Sequence, residues 1–186
     1  MDCRPAVAGP GVHTILLISG STRADSTNSA LVRTAEVVPP TGVAAVVHPG
    51  IQTLPHFNPD LDVEPLPAAV AALRTAIAEA DAVLFCTPEY AGTLPGSFKN
   101  LLDWTVGGTV LSDKPVAWVN AAAEGRRGGG AHATLATVLG YVQASIVEDA
   151  CRHVPVPRES VGPDGLIHDD AAIAEVLAAL VDQPKL

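Results

Sequence analysis

A segment near the amino terminus carries several groups that can bind a phosphate. Residues 19–28 read SGSTRADSTN, which supplies hydroxyls, an amide and one guanidinium just where a helical pattern begins. The first amides of a helix have no partners within the helix and favour anions, and hydroxyl and guanidinium groups add further donors. The segment therefore predicts a site for a phosphate monoester. The same residue types also form helix caps and turns without a ligand, so that interpretation stays open.

Two further segments are rich in turn-forming residues. Residues 87–97 read TPEYAGTLPGS, and residues 120–130 end in three consecutive glycines. Each segment follows a short apolar run of the kind that forms a buried strand. All three segments are therefore predicted to be loops that leave the ends of strands, where binding residues are often found.

Short apolar runs alternate with helical patterns along the chain. The predicted strands are 12–18, 43–47, 82–86, 115–120 and 144–147, and the predicted helices are 28–38, 66–80, 98–106, 131–139 and a last one along 173–181. Pro39 and Pro40 end the first helix, because proline cannot continue it. Gly140 is predicted to end the fourth helix in a left-handed cap. Asp169 or Asp170 is predicted to cap the start of the last helix.

This alternation predicts an α/β fold of three layers, with helices on both faces of a doubly wound parallel sheet. The expected order of the five strands is 2-1-3-4-5. In such sheets ligands bind beyond the carboxyl ends of the strands, at the point where the strand order reverses. Segments 19–28 and 87–97 follow the two strands at that point. Residues 1–186 are predicted to form one domain, with 1–11 as a flexible extension and 48–65 as a long surface loop.

The residues around these loops disfavour three other classes of nucleotide-binding or phosphate-accepting protein. No Gly-Lys-Ser/Thr follows Gly20, so the first loop is not a Walker A motif, and it lacks the G-x-G-x-x-G spacing of dinucleotide-binding proteins. A phosphoacceptor receiver domain needs an aspartate just after the third strand, where Thr87 and Pro88 stand. A mononucleotide is therefore the favoured ligand.

Taken together, the loops resemble those of the NAD(P)H-dependent FMN reductases, a family with a flavodoxin-like fold. The resemblance covers nearly the whole chain. It rests on Gly20-Ser-Thr-Arg with Ser26 and Asn28, on Pro88-Glu-Tyr, on Pro95-Gly with Lys99-Asn100, and on a glycine-rich stretch at 128–130. One position departs from the pattern, because relatives commonly read Pro-Glu-Tyr-Asn where this chain has Ala91. Loss of that amide is expected to weaken a flavin contact or alter the choice of acceptor.

The resemblance implies that FMN binds with its phosphate in the first loop and its isoalloxazine ring against the second. The residues implied for cofactor binding are Ser19, Ser21, Arg23, Ser26, Thr27, Asn28, Pro88, Glu89, Tyr90, Ala91 and Gly92. Gly92 would allow the backbone to approach a flat ring closely, and backbone amides can bond the polar edge of the flavin. No side chain is expected to act as a catalytic acid or base, because the cofactor performs the electron chemistry.

The activity that the resemblance implies is hydride transfer from NADPH or NADH to flavin N5, followed by reduction of a second acceptor. Free flavin, a quinone, a nitro or azo compound and a metal oxyanion all remain candidate acceptors, and the choice between NADPH and NADH stays open. Two alternatives remain for the protein itself. One is an FMN-binding electron carrier, and the other is a noncatalytic flavin-binding sensor or partner protein.

The composition limits the partners and the location of the protein. The net charge is −9, which disfavours binding to DNA or RNA. The three cysteines, Cys3, Cys86 and Cys151, are widely spaced, so neither a disulfide framework nor a zinc site is indicated, and no other metal site is expected. No apolar run approaches the length of a membrane span. The sequence therefore predicts a cytoplasmic protein with no membrane partner.

Several other residues have both a functional and a structural interpretation. Arg126 and Arg127 could meet the extra phosphate of NADPH, although arginines on a glycine-rich loop are more often solvated. His56 is predicted to be a surface turn residue, and Asp60, Asp62 and Glu64 are predicted to be solvated loop residues. Phe98, Leu101 and Trp104 are predicted to pack in the core or between subunits. The resemblance implies a homodimer or homotetramer, with the long loop and the helix containing Trp104 as candidate contact surfaces.

Overall fold

The computed structural model describes residues 11–125, 127–168 and 170–182. The strands are β1 (His13–Ser19), β2 (Val43–Val47), β3 (Ala82–Cys86), β4 (Pro115–Asn120), β5 (Ser145–Ile146) and β6 (Arg152–His153). The helices are α1 (Thr27–Val37), α2 (Ala68–Glu79), α3 (Gly96–Asp103), α4 (Gly129–Tyr141) and α5 (Ala171–Val181), and short 3₁₀ turns lie at Pro59–Leu61, Glu148–Ala150 and Arg158–Ser160. Residues 1–10 of the predicted 1–11 extension, Arg126 and Asp169 lie outside the described residues.

The sheet is parallel and its strands follow the order β2-β1-β3-β4-β5, which confirms the predicted topology. A sixth strand, β6, was not predicted. It pairs with the carboxyl end of β4, through Val119 opposite Arg152 and Asn120 opposite His153, whereas β5 pairs with the start of β4. The edge of the sheet beside the end of β4 is therefore extended by two short strands in succession.

Helices cover both faces of the sheet, which confirms the three layers. Alternate side chains of β1 divide between the faces: Ile15 and Leu17 pack with α1 and α5, and Leu16 and Ile18 pack with α2, α3 and α4. Every residue of β3 is buried, as expected for a central strand covered on both sides. The core between the sheet and helices α2, α3 and α4 contains Phe98, Leu101 and Trp104, as predicted.

One predicted helix end is wrong, and one predicted cap makes no side-chain hydrogen bond. Gly140 lies inside α4 rather than beyond its end, and the left-handed residue that follows the helix is Gln143, with φ at 60°. Asp170 occupies the position before α5, but its side chain makes no capping hydrogen bond. The start of α1 has a true cap, because the Ser26 hydroxyl accepts a hydrogen bond from the amide of Asn28.

The long loop at 48–65 is held to α3 rather than lying free on the surface. Asn100 accepts a hydrogen bond from the amide of Phe57 at 2.7 Å and donates one to the carbonyl of Pro55, which also accepts from the indole of Trp104. Asp62 was predicted to be solvated, and this prediction is wrong. Its carboxylate pairs with Arg74 at 2.6 Å, and both side chains are largely buried.

Within the described part of the chain, no helix combines the length and the apolar character that a bilayer crossing requires.

Candidate functional site

Three loops meet at the carboxyl edge of the sheet and enclose a cavity of about 360 Å³. They follow β1, β3 and β4, at the point where the strand order reverses, as expected for a sheet of this order. The residues that line the cavity are Thr27, Asn28, Thr87, Pro88, Glu89, Asn120, Ala121, Ala122, Arg127 and Gly128. Four of the predicted cofactor-binding residues, Thr27, Asn28, Pro88 and Glu89, are among them.

The other predicted residues lie on the same two loops but are not among those that line the cavity. Ser19, Ser21 and Ser26 fold the first loop on itself: their hydroxyls accept hydrogen bonds from the amides of residues 21, 23 and 28 at 3.2 to 3.3 Å. Thr22 and Arg23 are exposed at the tip of this loop. The guanidinium of Arg23 makes no hydrogen bond or ion pair with any described residue, so it is available to an anion.

The first two loops touch each other at Gly20. A Cβ at this position would collide with the hydroxyl of Thr87 and would lie 2.7 Å from its Cβ atom. The amide of Gly20 also donates a hydrogen bond to the carbonyl of Cys86 at 2.8 Å. Glycine is therefore required here by the close approach of the neighbouring strand end.

Asn28 is buried, and its side chain is held by a residue of β3, the strand before the second loop. Its side-chain oxygen accepts a hydrogen bond from the thiol of Cys86 at 3.3 Å. Burial raises the pKa of the Cys86 thiol far above its ordinary value, so this sulfur stays protonated and acts as a donor. The amide group of Asn28 is thereby oriented at the cavity wall.

The second loop turns tightly at Ala91 and Gly92. Tyr90 and Thr93 exchange backbone hydrogen bonds of 3.0 and 3.1 Å, and both central residues have positive φ, 51° for Ala91 and 78° for Gly92. Positive φ at both central positions defines a type I′ turn, which strongly favours Asn-Gly. Asparagine would suit this backbone, whereas Ala91 adopts it at a cost. Tyr90 is half exposed beside the turn.

Glu89 joins the second loop to the third. Its carboxylate accepts hydrogen bonds from the amides of Gly130 and Ala131, at 2.7 and 3.1 Å, in the first turn of α4. The hydroxyls of Thr93 and Thr134 form another hydrogen bond of 2.9 Å between the same loop and helix. The second loop is therefore anchored to α4 rather than projecting freely.

The third loop supplies cavity residues that the sequence prediction missed. Asn120 organises this loop, because its side chain accepts from the amide of Ala122 at 3.0 Å and donates to the carbonyl of Arg127 at 2.8 Å. Gly128 has φ at 89°, and a Cβ there would press against Asn120. Asn120 could have been predicted as a site residue, because it is a polar residue at the end of a predicted strand. Ala121 and Ala122 have no sequence feature that indicates a site.

Arg127 lies at the cavity but pairs with Glu124 at 3.3 Å, and both side chains are about three-quarters exposed. This arrangement fits the solvated interpretation of Arg127. Within the described ranges, no cluster of His, Cys, Asp and Glu side chains could hold a metal ion.

His132 lies behind the third loop, in the first turns of α4. Its ring stacks on Trp118 with an interplanar angle of 9°, and its buried Nε2 has no hydrogen-bond partner among the described residues. Burial lowers the pKa of His132 to about 4; Glu89 opposes this shift and His153 adds to it. The imidazole is therefore neutral at physiological pH.

Comparisons with known proteins show the family of this chain. The model of the NADPH-dependent FMN reductase family matches residues 13–155. A probable NADPH:quinone oxidoreductase 2 of Oryza sativa subsp. japonica is 36% identical over 117 residues, which cover 61% of this chain and 55% of that protein. The quinone reductase of Escherichia coli (strain K12) is 35% identical over 104 residues, which cover 55% of this chain and 54% of that protein.

The chain thus spans about half the length of these two curated relatives. Among solved structures, the flavoenzyme NAD(P)H:(acceptor) oxidoreductase FerB from Paracoccus denitrificans matches with a TM-score of 0.78 and 28% identity. That match covers 91% of this chain and 96% of the other. Because the family model matches most of the length of the chain, this chain is a member of the NADPH-dependent FMN reductase family.

Proposed function

We propose that the protein is an FMN-dependent NAD(P)H oxidoreductase that delivers electrons to a small-molecule acceptor. The observation that carries this proposal is the convergence of the loops after β1, β3 and β4 on one cavity. The donors of the first loop and the tight turn of the second loop suit the phosphate and the ring of a flavin mononucleotide.

The first loop fits a phosphate. It combines the amino terminus of α1, the hydroxyls of Ser21 and Thr22 and the unpaired guanidinium of Arg23. These groups would hold the phosphate of FMN by charge-assisted hydrogen bonds, with Ser26 and Asn28 shaping the loop behind them. The overall charge of −9 does not oppose this, because the donors are local and oriented.

The second and third loops fit a flat ring. Pro88 would form one wall, and Ala121, Ala122 and Gly128 would form the other, with few side-chain atoms to obstruct the ring. When bound, FMN supplies the hydride and electron chemistry between NAD(P)H and the acceptor. The chain itself positions the ring and limits access of water.

The cavity offers little for acid–base catalysis. Glu89 and Arg127 are the only titratable side chains among its described lining residues, and each already has a protein partner. This supports a role in which geometry, rather than proton transfer from a side chain, dominates the catalysis.

We propose a quinone as the acceptor class, because both curated relatives described above carry that activity in their names. Free flavin, nitro and azo compounds and metal oxyanions are the comparison acceptors. NADPH is the proposed donor, after the family description, and NADH is its comparison.

The test combines cofactor binding with turnover. Purified protein is titrated with FMN while the visible spectrum is recorded, and oxidation of NADPH and NADH is then measured with a benzoquinone and with each comparison acceptor. Saturable uptake of FMN and acceptor-dependent oxidation of NADPH are expected. Uptake without oxidation would support an electron carrier or a sensor instead, and no uptake would refute the proposal.

Replacement of Arg23 by alanine tests the phosphate assignment within the same titration. The variant is expected to bind FMN at least about tenfold more weakly, because it loses a charge-assisted contact. Arg152, which is exposed on β6 and does not line the cavity, gives the matched control Arg152→Ala. An unchanged affinity in Arg23→Ala would show that the phosphate lies elsewhere.

We also propose a homodimer or homotetramer in the cytoplasm. Leu61 and Val63 on the long loop and Val106 after α3 are 46%, 61% and 53% exposed, and they flank the contact of Asp62 with Arg74. Exposed apolar side chains on neighbouring segments suit a subunit contact. A monomer in light scattering would contradict the assembly.

The described cysteines, Cys86 and Cys151, are free thiols, which suits a reducing compartment such as the cytoplasm.

A further inference from the structure

Glu89 lies on the cavity wall, yet its carboxylate is committed to the protein. One of its oxygens accepts from two consecutive amides, those of Gly130 and Ala131, at the first turn of α4. These amides belong to the group that a helix cannot satisfy internally, and the amino end of a helix favours a negative charge. Glu89, 41 and 42 positions before these two amides in the chain, thus supplies the anionic partner that Gly128, the residue before the helix, cannot.

Steric fit at Gly130 makes this contact close. A Cβ on Gly130 would overlap the carbonyl oxygen of Gly92 and would lie 3.0 Å from the Glu89 carboxylate. The Thr93–Thr134 hydrogen bond adds a second connection one turn further along α4. The type I′ turn at residues 90–93 is therefore seated directly on the start of α4.

The turn and the carboxylate act at the same place on the cavity. Pro88 and Glu89 line it, the turn follows within two residues, and Gly128 lines it from the side of α4. A movement of Glu89 away from the amides would shift the wall at Pro88 and expose the positive end of α4 toward the cavity. The position of the wall and the electrostatic potential at the cavity thus depend on one carboxylate.

We propose that Glu89 is a positioning residue, which locks the turn at residues 90–93 onto the amino terminus of α4 and offsets the positive end of that helix beside the flavin ring. This inference rests on the proposed function. It assigns Glu89 a role through the α4 amides, in place of the direct ring contact that the resemblance implied.

The first experiment uses the protein without added cofactor. Amide hydrogen exchange is followed in the parent, in Glu89→Gln and in Glu89→Ala, with Glu79→Gln on the exposed face of α2 as the matched control. The amides of Gly130 and Ala131 are expected to exchange at least about tenfold faster in Glu89→Ala, with a smaller increase in Glu89→Gln, whose amide oxygen still accepts. Parent-like exchange in both variants would overturn the lock, whether or not the protein binds FMN.

The second experiment measures FMN affinity and the midpoint potential of the bound flavin in the parent and in Glu89→Gln. Reduction places negative charge on the ring, so removal of the carboxylate charge is expected to shift the midpoint potential to less negative values. Weaker contact of residue 89 with the α4 amides is also expected to loosen the turn and to weaken FMN binding several-fold. A purely structural role would lower affinity without raising the potential. The Glu79→Gln control is expected to match the parent.

The two experiments separate failure of the inference from failure of the proposed function. If the parent binds FMN and Glu89→Gln has an unchanged potential, the electrostatic role of Glu89 is wrong and the oxidoreductase proposal stands. If the parent binds no FMN, the proposed function and the role of Glu89 toward the flavin both fall. Should Glu89→Ala not fold, Glu89→Gln alone decides both measurements.

Discussion

At the scale of single residues, the site depends on positions where a side chain would not fit. Gly20 is the clearest, because the first loop passes against the side chain of Thr87 with no space for a methyl group. The amide of Gly20 is tied to Cys86 at the end of β3, so the loop cannot simply move outward. The first and second loops are therefore coupled through this contact.

Replacement of Gly20 by alanine is expected to destabilise the protein and weaken FMN binding together. Overpacking of this kind costs about 1 to 3 kcal/mol of unfolding free energy, since Thr87 and the loop must both shift. Urea unfolding and FMN titration measure the two effects. Gly96→Ala, at the start of α3, is the control, because an added Cβ there meets no atom within 4 Å. Equal stability of the two variants would contradict this interpretation.

Replacement of Ala91 by asparagine tests the turn directly. Ala91 has φ at 51°, and a residue with a Cβ pays about 1 kcal/mol for this region, which asparagine tolerates better. The variant is expected to gain about 0.5 to 1 kcal/mol in unfolding free energy. Ala123→Asn, in the exposed part of the third loop, is the control and should gain nothing. A gain no larger than the control's would show that the turn is not strained at Ala91.

The candidate site was predictable from sequence to the extent that its residues have distinctive chemistry. Asn28 was indicated by its type and its place at the start of a helix, and Pro88 and Glu89 by the resemblance to the reductase family. The structure brings all three to one cavity. Ala121 and Ala122 were not predicted, because alanine occurs both in cavity walls and in the hydrophobic core, and the sequence does not distinguish the two. The partner of Glu89 was also hidden, since a contact between residues 89 and 130 depends on how β3 and β4 place their loops.

At the scale of elements, apolar runs defined the central strands well. The limits of β2, β3 and β4 match the predicted limits, because these strands are buried and bounded by turn residues. The two residues of β6, Arg152 and His153, are exposed, so they show no periodicity and were missed. Helix ends were harder, because they depend on whether the next residue can continue the hydrogen-bonding pattern.

Gly140 illustrates this difficulty and gives a prediction. It lies within α4, has no positive φ, and an added Cβ there would meet no atom within 4 Å. Gly140→Ala is therefore expected to stabilise the protein by about 0.5 to 1 kcal/mol, the usual cost of glycine in a helix. Thermal or urea unfolding measures the change. A loss of stability would mean that Gly140 ends the helix in solution, as the sequence first indicated.

At the scale of the whole molecule, stability should depend on pH through histidines buried as neutral rings. Burial lowers the pKa of His132 to about 4, while in the unfolded chain it returns to about 6.5. Between these values the unfolded chain binds more protons than the folded one, so unfolding free energy falls as pH decreases through this window. The full difference corresponds to about 3 kcal/mol for His132. His48, whose pKa burial also lowers, contributes in the same direction.

His132→Phe isolates the contribution of this one ring. Phenylalanine can keep the stacking on Trp118 and has no nitrogen to leave unpaired, so the variant should be at least as stable as the parent at pH 7. Its advantage is expected to grow from pH 7 to pH 4 by up to about 3 kcal/mol, measured by urea unfolding across that range. His56→Gln, on the exposed long loop, is the control and should follow the parent. A constant difference between His132→Phe and the parent at all pH values would show that His132 binds its proton equally well in both states, and hence that α4 does not bury it in solution.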